Sequence, residues 1–139
     1  MTNINKRPLP KSQAELLQTQ FHRLIGSLNE KQSSIFFGQL LGHEERVMLM
    51  KRLGAVIMLS DGHSRYRVAK SLAISPATAD AIANRLEHGD YDQLLKTITT
   101  STQPYKHFKE TLLSLVGTAL YLSSNRAPRD LVRKSLRRK

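Results

Sequence analysis

Cysteine is absent from all 139 residues. That excludes disulfide and thiolate chemistry and points to a reducing compartment, here the cytoplasm. No apolar run approaches the roughly 18 residues of a membrane span, and the opening "MTNINKRPLP" has no apolar centre of the kind a secretory signal needs. No membrane partner is expected. Metal-ligand spacing is missing as well. His22, His43, His63, His88 and His107 are scattered, and "HEERV" at 43–47 starts like a zinc-protease helix but carries Val47 where the second histidine belongs. There is no phosphate-binding loop, dinucleotide fingerprint or serine nucleophile elbow. No alternating strand pattern and no internal repeat occurs. These absences argue against an enzyme and against any cofactor or metal.

Acidic residues are also scarce: 11 against 22 Lys and Arg, for a formal net charge of +11. The excess is unevenly placed. Residues 1–43 carry +3, residues 44–90 carry +1, residues 91–104 are neutral, and residues 105–139 carry +7. A basic end on an otherwise balanced chain suits a polyanion, double-stranded DNA first among them.

What the chain does have is helical periodicity. Residues 1–11, with two prolines, read as a flexible basic arm. "SQAE" offers Ser12 as a helix N-cap with Glu15 three residues on, and Leu17, Phe21, Leu24 and Leu28 recur on one helix face behind it. A second helix is expected near 30–41. A third, at 44–60, is apolar around so much of its circumference that it is expected to be a buried central helix. Met residues, three of them in this helix, read as adaptable core. Glu44 and Glu45 favour its positive end. Residues 97–104 read as a polar linker, 105–123 as a C-terminal helix and 124–139 as a basic tail. Gly26, Gly38, Gly54 and Gly117 fall inside expected helices, where close helix packing explains them better than a phosphate loop does. The fold class is all-α, with one helical domain over 12–96.

Within that domain, "VAKSLAISPATADAI" at 68–82 has the spacing of two short helices meeting at a corner. Ser64 can cap the first, and Ala69 is small where the second must cross it. Val68, Leu72, Ile74, Ala79 and Ile82 fall where a corner needs apolar seals. Ala73 takes the turn position usually given to glycine, where a left-handed backbone costs alanine about 1 kcal/mol. Ser75 caps the second helix and Pro76 opens it. Gly89 suits the position just past its end. The pattern is that of a helix-turn-helix at 64–88.

From Leu40 to Tyr91 the chain resembles the core of the tryptophan-repressor superfamily, and within it the repressor-like members that have no assigned effector. The likeness rests on "LL" before an "EER" helix start, "KRL" inside that helix, Ser64, "SPAT" at the second motif helix and "NRLEHGDY" at its exit. It implies an intertwined, all-helical homodimer that presents two helix-turn-helix heads to successive major grooves, with the N-terminal helices forming most of the dimer interface. Tryptophan repressors hold the indole between two arginines beside a glycine. The first arginine corresponds to Arg52, but the second falls on Ala81 and the glycine on Ile82; Gly42 replaces a pocket threonine. The resemblance therefore implies a regulator that does not use tryptophan, with any small-molecule effector unknown. Arg52, without its partner, reads as an ion-pair partner or a phosphate contact.

The residues expected to face the groove are Ser75, Pro76, Ala77, Asp80, Ala81 and Asn84. Only Ser75, Asp80 and Asn84 among them can hydrogen-bond a base: Asn84 suits adenine, and Asp80 can accept from cytosine N4. Phosphate contacts are expected from Arg65, Tyr66, Arg67 and Lys70 on the first motif helix, with Arg85 behind them. In helical form Arg129, Arg133 and Arg137 of the tail would stack at i, i+4 and i+8 and follow the DNA backbone. The leading expectation is a sequence-specific DNA-binding transcriptional regulator located at the nucleoid. One alternative is an architectural binder of low specificity, with steep salt dependence and equal affinity for any duplex. The other is a helical protein–protein adaptor, with no affinity for DNA at physiological salt.

Overall fold

A computed structural model describes residues 7–124. Within them the chain forms seven helices and no strand. They are α1 (Lys11–Gly26), α2 (Glu30–Leu40), α3 (His43–Ser60), α4 (Arg65–Leu72), α5 (Pro76–Glu87), α6 (Asp92–Thr99) and α7 (Thr102–Ser124). None is long and apolar enough to cross a membrane, and no cluster of three or more potential metal ligands occurs among the described residues. The chain divides into two units, Met1–Arg46 and Val47–Lys139, with the boundary inside α3.

In the first unit the entry to α1 differs from expectation. The helix begins at Lys11 with Pro10 as N-cap, and no side chain caps it. Pro10, at φ −53° and ψ 137°, accepts from Ala14 N at 2.9 Å, so the ring sets the entry and Ser12 lies inside the first turn. Of the expected basic arm, residues 1–6 lie outside the described residues and Lys11 already belongs to α1. The reciprocal cap occurs at α2 instead. Asn29 Oδ1 accepts from Gln32 N at 2.9 Å, and Gln32 Oε1 accepts from Asn29 N at 3.1 Å. Arg46 closes the other end of α2 by donating to the carbonyls of Gly38 and Leu41. Phe21 and Phe36 meet at 6.2 Å between ring centroids. Neither α1 nor α2 buries any residue, and Leu17, Leu24, Ile35 and Leu40 stay more than half exposed.

In the second unit, the buried part of α3 is confined to Gly54–Met58. Met48, Leu49 and Met50 are exposed, so the expectation of a buried central helix holds only for its C-terminal half. Around that half, Val68 and Leu72 of α4, Ile82 of α5, Tyr91, and Leu112 and Val116 of α7 complete the core. Gly54 permits the closest approach: a Cβ there would lie 2.8 Å from Leu112 Cδ2 and 3.4 Å from Leu72 Cδ1. Gly26 and Gly117 have no atom within 4 Å of such a Cβ, and Gly38 meets only the Arg46 side chain, so close packing explains Gly54 alone.

The polar run 97–103 is not the expected linker. Helix α6 extends through Thr99 and α7 starts at Thr102. The hydroxyls of Thr97, Thr99 and Thr100 each donate to a carbonyl three or four residues back, which satisfies them inside helical backbone. Pro104 sits in the first turn of α7, where it removes no helical hydrogen bond. Lys109 of α7 donates to Asp61 Oδ1 at 2.8 Å and ties the helix to the turn after α3. That hydrogen bond holds the Lys109 ammonium above its ordinary pKa of 10.5, against the opposing effect of desolvation.

Candidate nucleic-acid interface

The corner between α4 and α5 is built from local chemistry. Ser64 Oγ accepts from Arg67 N at 3.1 Å and starts α4, which turns Val68 and Leu72 into the core. Ala73 ends the helix in the left-handed region, at φ 50° and ψ 52°. Its carbonyl accepts from Lys51 Nζ at 3.1 Å, while Ile74 N returns to Ala69 O at 3.1 Å. Ser75 Oγ then accepts from Thr78 N at 3.1 Å, and Pro76 occupies the first position of α5. The inner face of α5 buries Ala79, Ile82 and Ala83. The helix stops at the His88 cap, and Gly89, at φ +81°, continues the chain in a conformation that disfavours other residues.

Burying those three residues turns the opposite face of α5 outward. Ser75, Pro76, Ala77, Asp80, Ala81 and Asn84 are all exposed. Arg65 does not stand out at the rim with the other α4 cations. It lies along α5, donating to Asp80 Oδ1 at 3.4 Å, Asn84 Oδ1 at 3.2 Å and Glu87 Oε1 at 3.0 Å. A guanidinium can only donate, so the Asn84 atom facing it is the oxygen and the amide NH2 is directed elsewhere. Each of these contacts is solvent-exposed, and an isolated exposed ion pair contributes about 0–1 kcal/mol. What distinguishes the group is convergence: three acceptors share one planar donor.

The rim itself holds Tyr66, Arg67 and Lys70, all exposed, with the Lys70 ammonium 5.5 Å from the Tyr66 ring centroid. Among the described residues Arg67 and Lys70 make no ion pair. Arg85 is partly engaged: its Nε donates to Asp90 Oδ2 at 3.2 Å, and its guanidinium lies over the Tyr91 ring at 4.8 Å. Arg129, Arg133 and Arg137 lie outside the described residues. Arg52 makes no ion pair among the described residues. It lines an open recess of about 390 Å³ with Ala77, Thr78, Ala81, Ile82, Arg85 and Tyr91.

Sequence reasoning placed the reading face and the rim as two separate sets, whereas Arg65 of the rim bonds directly to Asp80 and Asn84 of the reading face. Glu87, the third acceptor of Arg65, was missed. It stands seven positions after Asp80, on the line that also holds Asn84, and this periodicity was its only signal in the sequence. Asp90, the partner of Arg85, was missed in the same way. Compared with family models, with curated proteins and with solved structures, the chain matches none.

Proposed function

We propose that this chain is a sequence-specific, DNA-binding transcriptional regulator of the tryptophan-repressor type, acting as a homodimer and without tryptophan as corepressor. One observation carries the reading. A capped, proline-initiated helix, α5, is set by a left-handed corner so that its small and polar face is exposed beside the cations of α4. Such a face is narrow enough for a major groove, and Ser75, Asp80 and Asn84 supply the hydrogen-bonding groups. Tyr66, Arg67 and Lys70 supply phosphate contacts that set register without reading sequence. Ala81 and Ile82 stand where a tryptophan clamp would need a second arginine and a glycine, which supports a regulator independent of that ligand.

The dimer is supported by the first unit. Isolated helices of 16 and 11 residues are marginal in water. Here they bury none of their apolar residues, so a second copy would provide the missing cover. Sedimentation at micromolar concentration should give twice the 15.7 kDa chain mass; a monomer there removes the dimer.

The absence of any cation among Ser75, Pro76, Ala77, Asp80, Ala81 and Asn84 favours a second reading, an architectural binder held by phosphates alone. Selection from a random duplex pool separates the two. Enrichment of a two-half-site sequence, bound more than about a hundredfold tighter than a scrambled duplex, supports the regulator. Equal affinity for every duplex, falling steeply with salt, supports the architectural binder. No affinity at physiological salt leaves a protein–protein adaptor.

A further inference from the structure

Asp80, Asn84 and Glu87 are spaced i, i+4 and i+7, a single line along α5, and all three accept from the Arg65 guanidinium. The planar fork of arginine fixes the directions of its partners, whereas a lysine ammonium is a point charge with freely rotating donors. Two of the three acceptors are polar residues of the exposed face proposed to read bases. Exposed Asp and Asn side chains sample several rotamers, and fixing one on binding carries an entropic cost. Shared contact with Arg65 favours one rotamer of each before DNA arrives. It also offsets the Asp80 charge that phosphates would repel, and it orients Asn84 so that the amide hydrogens are left for a base. The guanidinium is thereby turned away from the position of a phosphate clamp, the role that Arg67 and Lys70 are free to take.

We infer that Arg65 is a positioning residue that sets base-pair discrimination by holding Asp80 and Asn84, and that it is not a phosphate contact. The inference rests on the reading that α5 enters the major groove. Its test uses the full chain and the duplex that the wild type enriches. Binding to that duplex, and to versions changed at each base pair, is measured across salt for wild type, Arg65→Lys, Arg65→Ala, Lys70→Ala, Asp80→Ala and Asn84→Ala. The expected result is that both Arg65 variants lose about tenfold in discrimination at the base pairs affected by Asn84→Ala or Asp80→Ala, the order of one good base contact. Arg65→Lys, which keeps the charge, should retain the wild-type salt slope. Lys70→Ala should weaken every duplex alike and reduce the slope by about 0.9.

Should Arg65→Lys discriminate as well as wild type, charge alone is needed and the inference is overturned. It is equally overturned if Arg65→Ala behaves like Lys70→Ala, because Arg65 is then a phosphate contact; in both cases the regulator reading stands. A wild-type chain that enriches no sequence overturns the reading and the inference together. Arg65 is not part of the buried corner, which Val68, Leu72 and Ile82 seal. If Arg65→Ala nonetheless fails to fold, Arg65→Lys alone decides.

Discussion

Replacing Ala73 by glycine should stabilise this protein, and replacing it by valine should do the opposite. Ala73 is held at φ 50° and ψ 52° at the end of α4, and its side chain is exposed, so packing contributes little to either change. The left-handed conformation costs alanine about 1–2 kcal/mol. Glycine avoids that cost, but its unfolded chain is more flexible, which returns about 0.4–1 kcal/mol. The net expectation for Ala73→Gly is a gain of about 0.5 kcal/mol. For a unit of this size that is a rise in Tm of about 2–4 °C. Valine adds branching at Cβ in a region where β-branched residues are outliers, so Ala73→Val should lose at least about 1 kcal/mol, or about 4–8 °C. The Lys51 bond is to the Ala73 carbonyl and survives both changes. Thermal melts of the three proteins at one concentration and pH give the comparison. The expected order is Gly, then Ala, then Val; a valine variant as stable as wild type would falsify the left-handed turn.

Three other outcomes follow from the packing and the charges. Gly54→Ala would press a Cβ to 2.8 Å from Leu112 Cδ2. Overpacking of about 1–3 kcal/mol should outweigh a helix-propensity gain of about 1 kcal/mol; denaturant melts of Gly54→Ala, Leu112→Ala and the double variant should show the pair less destabilised than the sum. The Lys109–Asp61 bond raises the lysine pKa above 10.5, so its stabilisation is fully present below pH 10.5 and is lost as pH rises through the raised value. Melts of wild type and Lys109→Met should therefore converge at the alkaline end, and a difference unchanged at every pH would refute the assignment. Changing Arg129, Arg133 and Arg137 together to Gln should lower the salt slope of DNA binding by up to about 2.7 if all three meet phosphates, and an unchanged slope would remove the tail from the interface.

The parts of the corner legible in the sequence were those made within one turn of chain. Ser64 and Ser75 cap helices through a backbone N–H three residues on, so their roles follow from sequence spacing. The same local logic failed at Ser12, because Pro10 two residues earlier had already set the helix entry. It failed again at 97–103, where threonines that signal a loop by composition bond back to helical carbonyls. The apolar circumference of α3 marked it for burial but not the extent of that burial, which depends on how far α4 and α7 reach along it. The role of Arg65 was not legible. Its acceptors lie 15 to 22 residues away and meet it only through the crossing of two helices.

The shared donor also bears on how this surface could change over generations. Asp80, Asn84 and Glu87 draw on a single guanidinium, so losing one acceptor leaves Arg65 to redistribute between the other two. Substitutions at these positions are therefore epistatic, and their effects should not add as those of distant sites do. On the proposed reading, a new binding preference reached by changing position 80 or 84 alone would carry a misplaced arginine with it. Divergence at this face is expected to proceed by paired changes that include position 65, so the route to a new preference is narrower than the six positions proposed to face the groove suggest.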